Sequence, residues 1–274
     1  MDVKKVEAGG QQIAYYESAG NGPAVMLIHG NSASKQTFAA QLTGEFGQKY
    51  RVVAMDLPGH GESDQAAEPA KTYHMPGYAA VVAEVAQKLG LTDGVFVGWS
   101  LGGHIVLEAH NLLPDAAGFV IFGTPPLAFP PDMENAFLPN PAMGAAFAEE
   151  LTQEQMAGFA AACLAPDCTH DLAPYVADIA RTDGRARATM AASIAPDGYQ
   201  DEVEIVRNLK RPLAILHGEQ EQLVNAAYIS GLEMPTLWRG AVQMIPGAGH
   251  TPQTETPEAF SALLSAFVDE VTAV

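Results

Sequence analysis

The sequence predicts an α/β fold: a mostly parallel central sheet, helices on both faces, and a mainly helical insertion in the second half. Three observations predict it. Continuous apolar runs of strand length recur, such as AVMLIH at 24–29 and GVFVGW at 94–99. Helix-like segments separate them, such as residues 77–89, with Val81, Val82, Val85 and Leu89 on one side. From Thr124 to about Leu209 the alternation stops and no clear strand occurs. Strands that are apolar throughout are buried on both faces, which calls for a parallel sheet covered above and below.

In chain order, residues 3–7 and 12–17 flank Gly9-Gly10 and form an opening hairpin. The run at 24–29 is a buried strand ending in His29-Gly30. Residues 50–55 (YRVVAM) form another, followed by Asp56-Leu57-Pro58-Gly59. After the helix at 77–89, the strand at 94–99 runs directly into a helix over 101–111. A strand at 118–122 follows. The insertion opens with the Pro-rich stretch TPPLAFPPDMENAFLPNPAMG and continues in helical segments at 152–164 and 173–181. Strands at 212–217 and 242–245 and an amphipathic helix at 259–271 complete the chain. Residues 1–123 and 210–274 are thus read as the core, and 124–209 as a cap over one end of the sheet.

The 274 residues carry 14 Lys+Arg against 32 Asp+Glu, a net charge of −18. Phosphate binding needs clustered basic side chains, so nucleic acid and anionic membrane are not expected partners. The one local basic group, Arg181, Arg185 and Arg187, has Asp183 in its midst. Beyond the single acid the chemistry needs, the acidity is assigned to the solvated surface. The N-terminal MDVKKVEAGG has no apolar core of a leader, and no run is long enough for a membrane span. Two cysteines, Cys163 and Cys168, give no disulfide framework, and a cytoplasmic location is expected. Cys163, Cys168 and His170 lack an evident fourth ligand, and no H-E-x-x-H occurs, so neither metal nor cofactor is expected.

Gly98-Trp99-Ser100-Leu101-Gly102 fits G-x-S-x-G between a strand and a helix. A sharp turn there exposes the serine, and the helix start brings N–H groups and a positive dipole end beside it. Ser100 is the candidate nucleophile. Of eight histidines, His250 is the candidate base, because it follows the last strand in the Gly-rich PGAGH loop. His29 and His217 end strands in His-Gly pairs and read as loop-shaping. His104 packs beside the site. His60, His74, His110 and His170 read as surface or structural. For the acid that orients His250, the loop after 212–217 offers Glu219 and Glu221. The usual place, three residues past the glycine, selects Glu221. The oxyanion donors are the backbone N–H groups of Leu101 and Asn31.

Over nearly its whole length the chain resembles the α/β-hydrolase superfamily, through His29-Gly30, DLPGHGESD (56–64), GWSLGG (98–103), HGEQEQLV (217–224) and GAGHTPQTETPEAF (247–260). More narrowly it is similar to the metal-independent N-acyl-homoserine lactone lactonases, through HGNSAS (29–34), GWSLGGHI (98–105), GTPP (123–126) and ARTDGRAR (180–187). The resemblance implies a Glu at the position of Glu221 and a quorum-quenching serine lactonase acting on a neutral substrate with an acyl tail. Such enzymes can use a cap tyrosine to bind substrate. Phe159 stands in the corresponding region here, so the acyl amide must be recognised elsewhere. Trp99 and the cap residues Phe129, Phe137, Met143, Phe147, Met156 and Phe159 are candidates for holding the substrate. The rivals are a general carboxylesterase and a slow-turnover ligand receptor. Branches of the fold that use an aspartate nucleophile do not match Ser100. Chain-length preference and oligomeric state are not legible.

Overall fold

The computed structural model describes residues 1–273. Eight strands form one sheet: β1 (Lys4–Ala8), β2 (Gln11–Glu17), β3 (Ala24–Ile28), β4 (Arg51–Met55), β5 (Val95–Trp99), β6 (Gly118–Phe122), β7 (Leu213–Gly218) and β8 (Gln243–Ile245). Their order is β1-β2-β4-β3-β5-β6-β7-β8. β1 pairs antiparallel with β2, and β2 with β4; all pairings from β4 to β8 are parallel. The expected mostly parallel sheet is therefore present.

Alternation along the strands sends side chains to two cores. Met26 and Ile28 of β3 and Phe119 and Ile121 of β6 pack on one face. Val25, Leu27, Val120 and Phe122 pack on the other. On the first face lie α1 (Met75–Leu89) and α2 (Leu101–Glu108). His74 caps the start of α1 by accepting from the Gly77 N–H, and Gly90 ends it at φ 66°. α2 is buried along its whole length. It is shorter than expected, passing at Ala109 into a turn of tighter helix.

Between β6 and β7 there is no strand among the described residues. The segment holds α3 (Gln153–Ala162), α4 (Ala173–Arg181), α5 (Gly184–Ala192) and α6 (Glu202–Asn208). The closing helix α7 (Pro257–Thr272) buries Phe260, Leu264, Phe267 and Val268 against the second face. No helix among the described residues is long and apolar enough to cross a membrane.

One expectation is corrected. The acidic residues do not all lie in solvent apart from the site: Asp56 and Glu202 are fully buried, and Glu108 and Asp183 nearly so. Each has a structural task. The Asp56 carboxylate accepts from the Lys35 N–H at 2.7 Å, from Lys35 Nζ at 2.7 Å and from the Glu62 N–H at 2.7 Å. It thereby ties the loop after β4 to the loop after β3. Burial pulls the Lys35 ammonium down, but the Asp56 and Glu62 carboxylates outweigh this and hold it above its ordinary value.

A contrast between two carboxylates follows. Asp56→Ala leaves Lys35 buried without its main partner and is expected to cost about 3–5 kcal/mol of unfolding free energy. Glu62 binds the same ammonium from a largely solvated position, and Glu62→Ala is expected to cost under about 1 kcal/mol. Urea unfolding of the two variants reads the difference.

Candidate active site

Ser100 sits between β5 and α2 with φ 53° and ψ −119°, a conformation that side-chain-bearing residues rarely hold. Its surroundings fix it there. The Ser100 N–H donates to Phe122 O at 2.8 Å, and Thr124 Oγ1 donates to Ser100 O at 2.8 Å. The turn is tight enough that a Cβ on Gly98 would lie 2.2 Å from Gly102 O, and one on Gly102 would lie 2.3 Å from Ile28 O. The glycines of the motif are thus demanded by backbone-to-backbone packing.

His250 follows β8 and is nearly fully buried. Its Nδ1–H donates to Glu221 Oε2 at 2.7 Å, so the lone pair resides on Nε2 in the neutral ring. Glu221 Oε1 accepts from the Leu223 N–H at 2.8 Å. Burial pushes the Glu221 carboxyl up, yet His250 and the Leu223 N–H together hold it below its ordinary value. Glu219 is exposed and is spent on neither bond; its N–H donates to Ile245 O. The His250 ring lies on Gly123, where a Cβ would approach Cε1 to 2.7 Å. Trp99 Nε1 donates to His250 O at 2.8 Å.

Glu255, which the sequence did not single out, secures the His250 loop. Its Oε2 accepts from the Gly249 and Thr251 N–H groups, and its Oε1 accepts from the Ala165 N–H at 2.6 Å. Gln222 Nε2 donates to Leu164 O, and Thr251 Oγ1 to Cys163 O. The loops bearing Glu221 and His250 are thereby fastened to the end of α3.

The loop after β3 is held as firmly. His29 donates from Nδ1 to Gly30 O at 2.7 Å and accepts from the Leu57 N–H at 3.0 Å. Burial, against this hydrogen bond, lowers its pKa to about 4, so it is a neutral tie. Asn31 Nδ2 donates to Ala146 O at 2.8 Å. Arg187, one of the three arginines of the local basic group, is buried. It donates to Ala148 O, Glu149 O, Ile179 O and Ser32 Oγ. Burial pulls its guanidinium below the ordinary value.

Ser100, His250, Leu101 and Asn31 line one cavity of about 90 Å³. The N–H groups of Leu101 and Asn31 have no hydrogen-bond partner among the described residues. Of the candidates for holding the substrate, Trp99, Phe137, Met143, Phe147 and Phe159 also line the cavity. Two expected residues do not. Phe129 is half-exposed and its ring meets Tyr199, because its N–H is anchored to Asp201 outside the cavity. Met156 lies on α3 but is absorbed into the core between helices. The apolar wall instead draws on Met75, Leu127, Met133, Met190, Ile194 and Leu223. Met75 opens α1 and Leu223 follows Glu221, and neither carries a sequence signal beyond core hydrophobicity. A second cavity of about 350 Å³ shares Asn31, Trp99, Phe159 and Cys163 with the first. Among the described residues no group of His, Cys, Asp and Glu is placed to hold a metal ion. Both cysteines are free, and burial pushes the Cys163 thiol up.

A sequence model described as "Alpha/beta hydrolase family" matches residues 25–263. The chain belongs to the alpha/beta hydrolase family. Among solved structures, it is similar to a serine-to-glycine mutant of the N-acyl homoserine lactonase AidH complexed with N-hexanoyl homoserine lactone. That match has TM-score 0.95 and 36% identity and covers 100% of both chains. Among curated proteins, it is 29% identical to the pimeloyl-[acyl-carrier protein] methyl ester esterase of Xanthomonas oryzae pv. oryzae, over 92% of this chain and 97% of that one. It is 26% identical to the non-heme haloperoxidase of Rhodococcus erythropolis, over 93% and 95%.

The Glu221–His250 pair has a pH signature. The folded carboxyl titrates below its ordinary 4.5, so its contribution to stability is present above that value and lost as pH falls through the lowered one. The unfolding free-energy gap between the wild-type protein and Glu221→Gln is expected to be widest near neutrality and to narrow below pH 4.5. Denaturant titrations at several pH values check this.

Proposed function

We propose that this protein is a serine hydrolase that opens the lactone ring of N-acyl homoserine lactones. One observation carries the reading: the full-length likeness to AidH at TM-score 0.95 and 36% identity, which extends through the segment between β6 and β7. Other AidH structures hold ring-opened ligands, N-butanoyl homoserine and N-hexanoyl homoserine. A neutral lactone suits an apolar cavity with few polar atoms, and residues 124–209 serve as the cap that walls it.

In the reaction proposed, His250 Nε2 takes the Ser100 hydroxyl proton as Oγ attacks the ring carbonyl. Glu221 keeps the proton on Nδ1 and stabilises the imidazolium that forms. The Leu101 and Asn31 N–H groups receive the oxyanion, where loss of one donor typically costs about 10²–10³ in turnover. The tetrahedral intermediate collapses, the ring C–O bond breaks, and His250 returns the proton to the departing oxygen. Water, activated by the same imidazole, then hydrolyses the acyl-enzyme to N-acyl-homoserine and frees Ser100.

The likeness to the pimeloyl methyl ester esterase supports a second reading, a carboxylesterase with the same machinery. Relative kcat/KM on acyl homoserine lactones and on simple aryl esters separates the two; preference for the aryl esters overturns the lactonase reading.

Two outcomes are expected. Ser100→Ala lowers kcat by about 10⁴–10⁶ with the fold retained, read by the appearance of ring-opened product with and without chelator. Phe159 stands between the two cavities, so Phe159→Ala joins them and shifts preference toward longer acyl chains. A panel of chain lengths measures that shift.

A further inference from the structure

We propose that His104 reads the acyl amide of the substrate, an assignment that rests on the lactonase reading above. It follows from accounting for the polar side-chain atoms of the cavity. Ser100 and His250 are committed to bond making and proton transfer. Trp99 Nε1 donates to His250 O. Asn31 uses Nδ2 on Ala146 O and Oδ1 on Ser32 Oγ. The Cys163 thiol is a weak donor. That leaves His104.

His104 lies four residues after Ser100 on α2 and lines the same cavity. A separation of four residues sets it about one helical turn, roughly 5–6 Å, from the serine along the helix. Its side chain is more than nine-tenths buried. Nδ1–H donates to the Glu202 carboxylate, at 2.9 Å to Oε1 and 2.8 Å to Oε2. Glu202 is itself fully buried and also accepts from the Leu127 N–H at 2.8 Å. The ring is thus locked in orientation with its proton on Nδ1, while Nε2 has no hydrogen-bond partner among the described residues. Nε2 remains accessible on the wall of a mostly apolar cavity, where it is free to bond a polar group of a bound molecule.

In an N-acyl homoserine lactone the amide hangs on the carbon next to the reacting carbonyl. With Ser100 on that carbonyl, the amide falls alongside the next turn of α2, where His104 stands. The Nε2 lone pair accepts from the amide N–H, a hydrogen bond that the apolar Phe159 cannot supply.

The test compares two lactones with the wild-type protein and His104→Phe: N-hexanoyl homoserine lactone, and α-heptyl-γ-butyrolactone, which has a tail of equal length without an amide. The ratio of kcat/KM for the first over the second is expected to fall about tenfold in the variant, mostly through KM, as befits one lost hydrogen bond. His104→Phe leaves Glu202 buried without its partner. The double variant His104→Phe/Glu202→Gln keeps an acceptor for the Leu127 N–H without that charge, and must show the same fall. An unchanged ratio overturns the role of His104 while leaving the lactonase reading intact. A wild-type protein that opens neither lactone overturns both.

Discussion

The steric confinement of Ser100 governs the site. A backbone at φ 53° is held because β5 turns into α2 within one residue, and because backbone passes backbone at Gly98, Gly102 and the end of β3 with no room for a methyl group. The turn points the hydroxyl off the sheet and leaves the Leu101 N–H, at the head of the helix, without an internal acceptor. The sheet order places β3 and β6 on either side of β5. The loop after β3 therefore brings Asn31 to one flank of the serine, and the Gly123 bend after β6 leaves room for the His250 ring on the other. A lax turn would dissolve this arrangement even with every side chain retained.

Much of this was legible in the sequence because periodicity and turn chemistry are local. Continuous apolar runs marked the parallel strands, and G-x-S-x-G between strand and helix marked the turn. The spacing past Gly218 selected Glu221 over Glu219, and the structure sets Glu221, not Glu219, against His250. What escaped were pairings between distant parts of the chain. Lys35 with Asp56, His104 with Glu202, and Arg187 with Ser32 are separated by 21, 98 and 155 residues. Nothing local distinguishes such charges from solvated ones. Phe129 and Met156 failed for a related reason: hydrophobicity says that a side chain is covered, not which wall covers it.

The strings that narrowed the resemblance acquire physical meaning together. Thr124 of GTPP donates to Ser100 O. In HGNSAS, Asn31 lines the cavity, Ser32 accepts from Arg187, and Ser34 Oγ donates to Asp178 at 2.6 Å. In ARTDGRAR, Asp183 accepts from Tyr73 and pairs with Arg185. Through these contacts the segment between β6 and β7 is joined to the loops at the ends of the strands.

The manner of that joining over the cavity has a consequence for how the protein can change. Asn31, Gln222, Thr251 and Glu255 grip main-chain atoms of Ala146, Leu164, Cys163 and Ala165, not side chains. A grip on the peptide backbone is indifferent to what those positions carry. The side chains at those four positions can therefore change without removing the hydrogen bonds that hold this segment to the loops around His250 and Asn31.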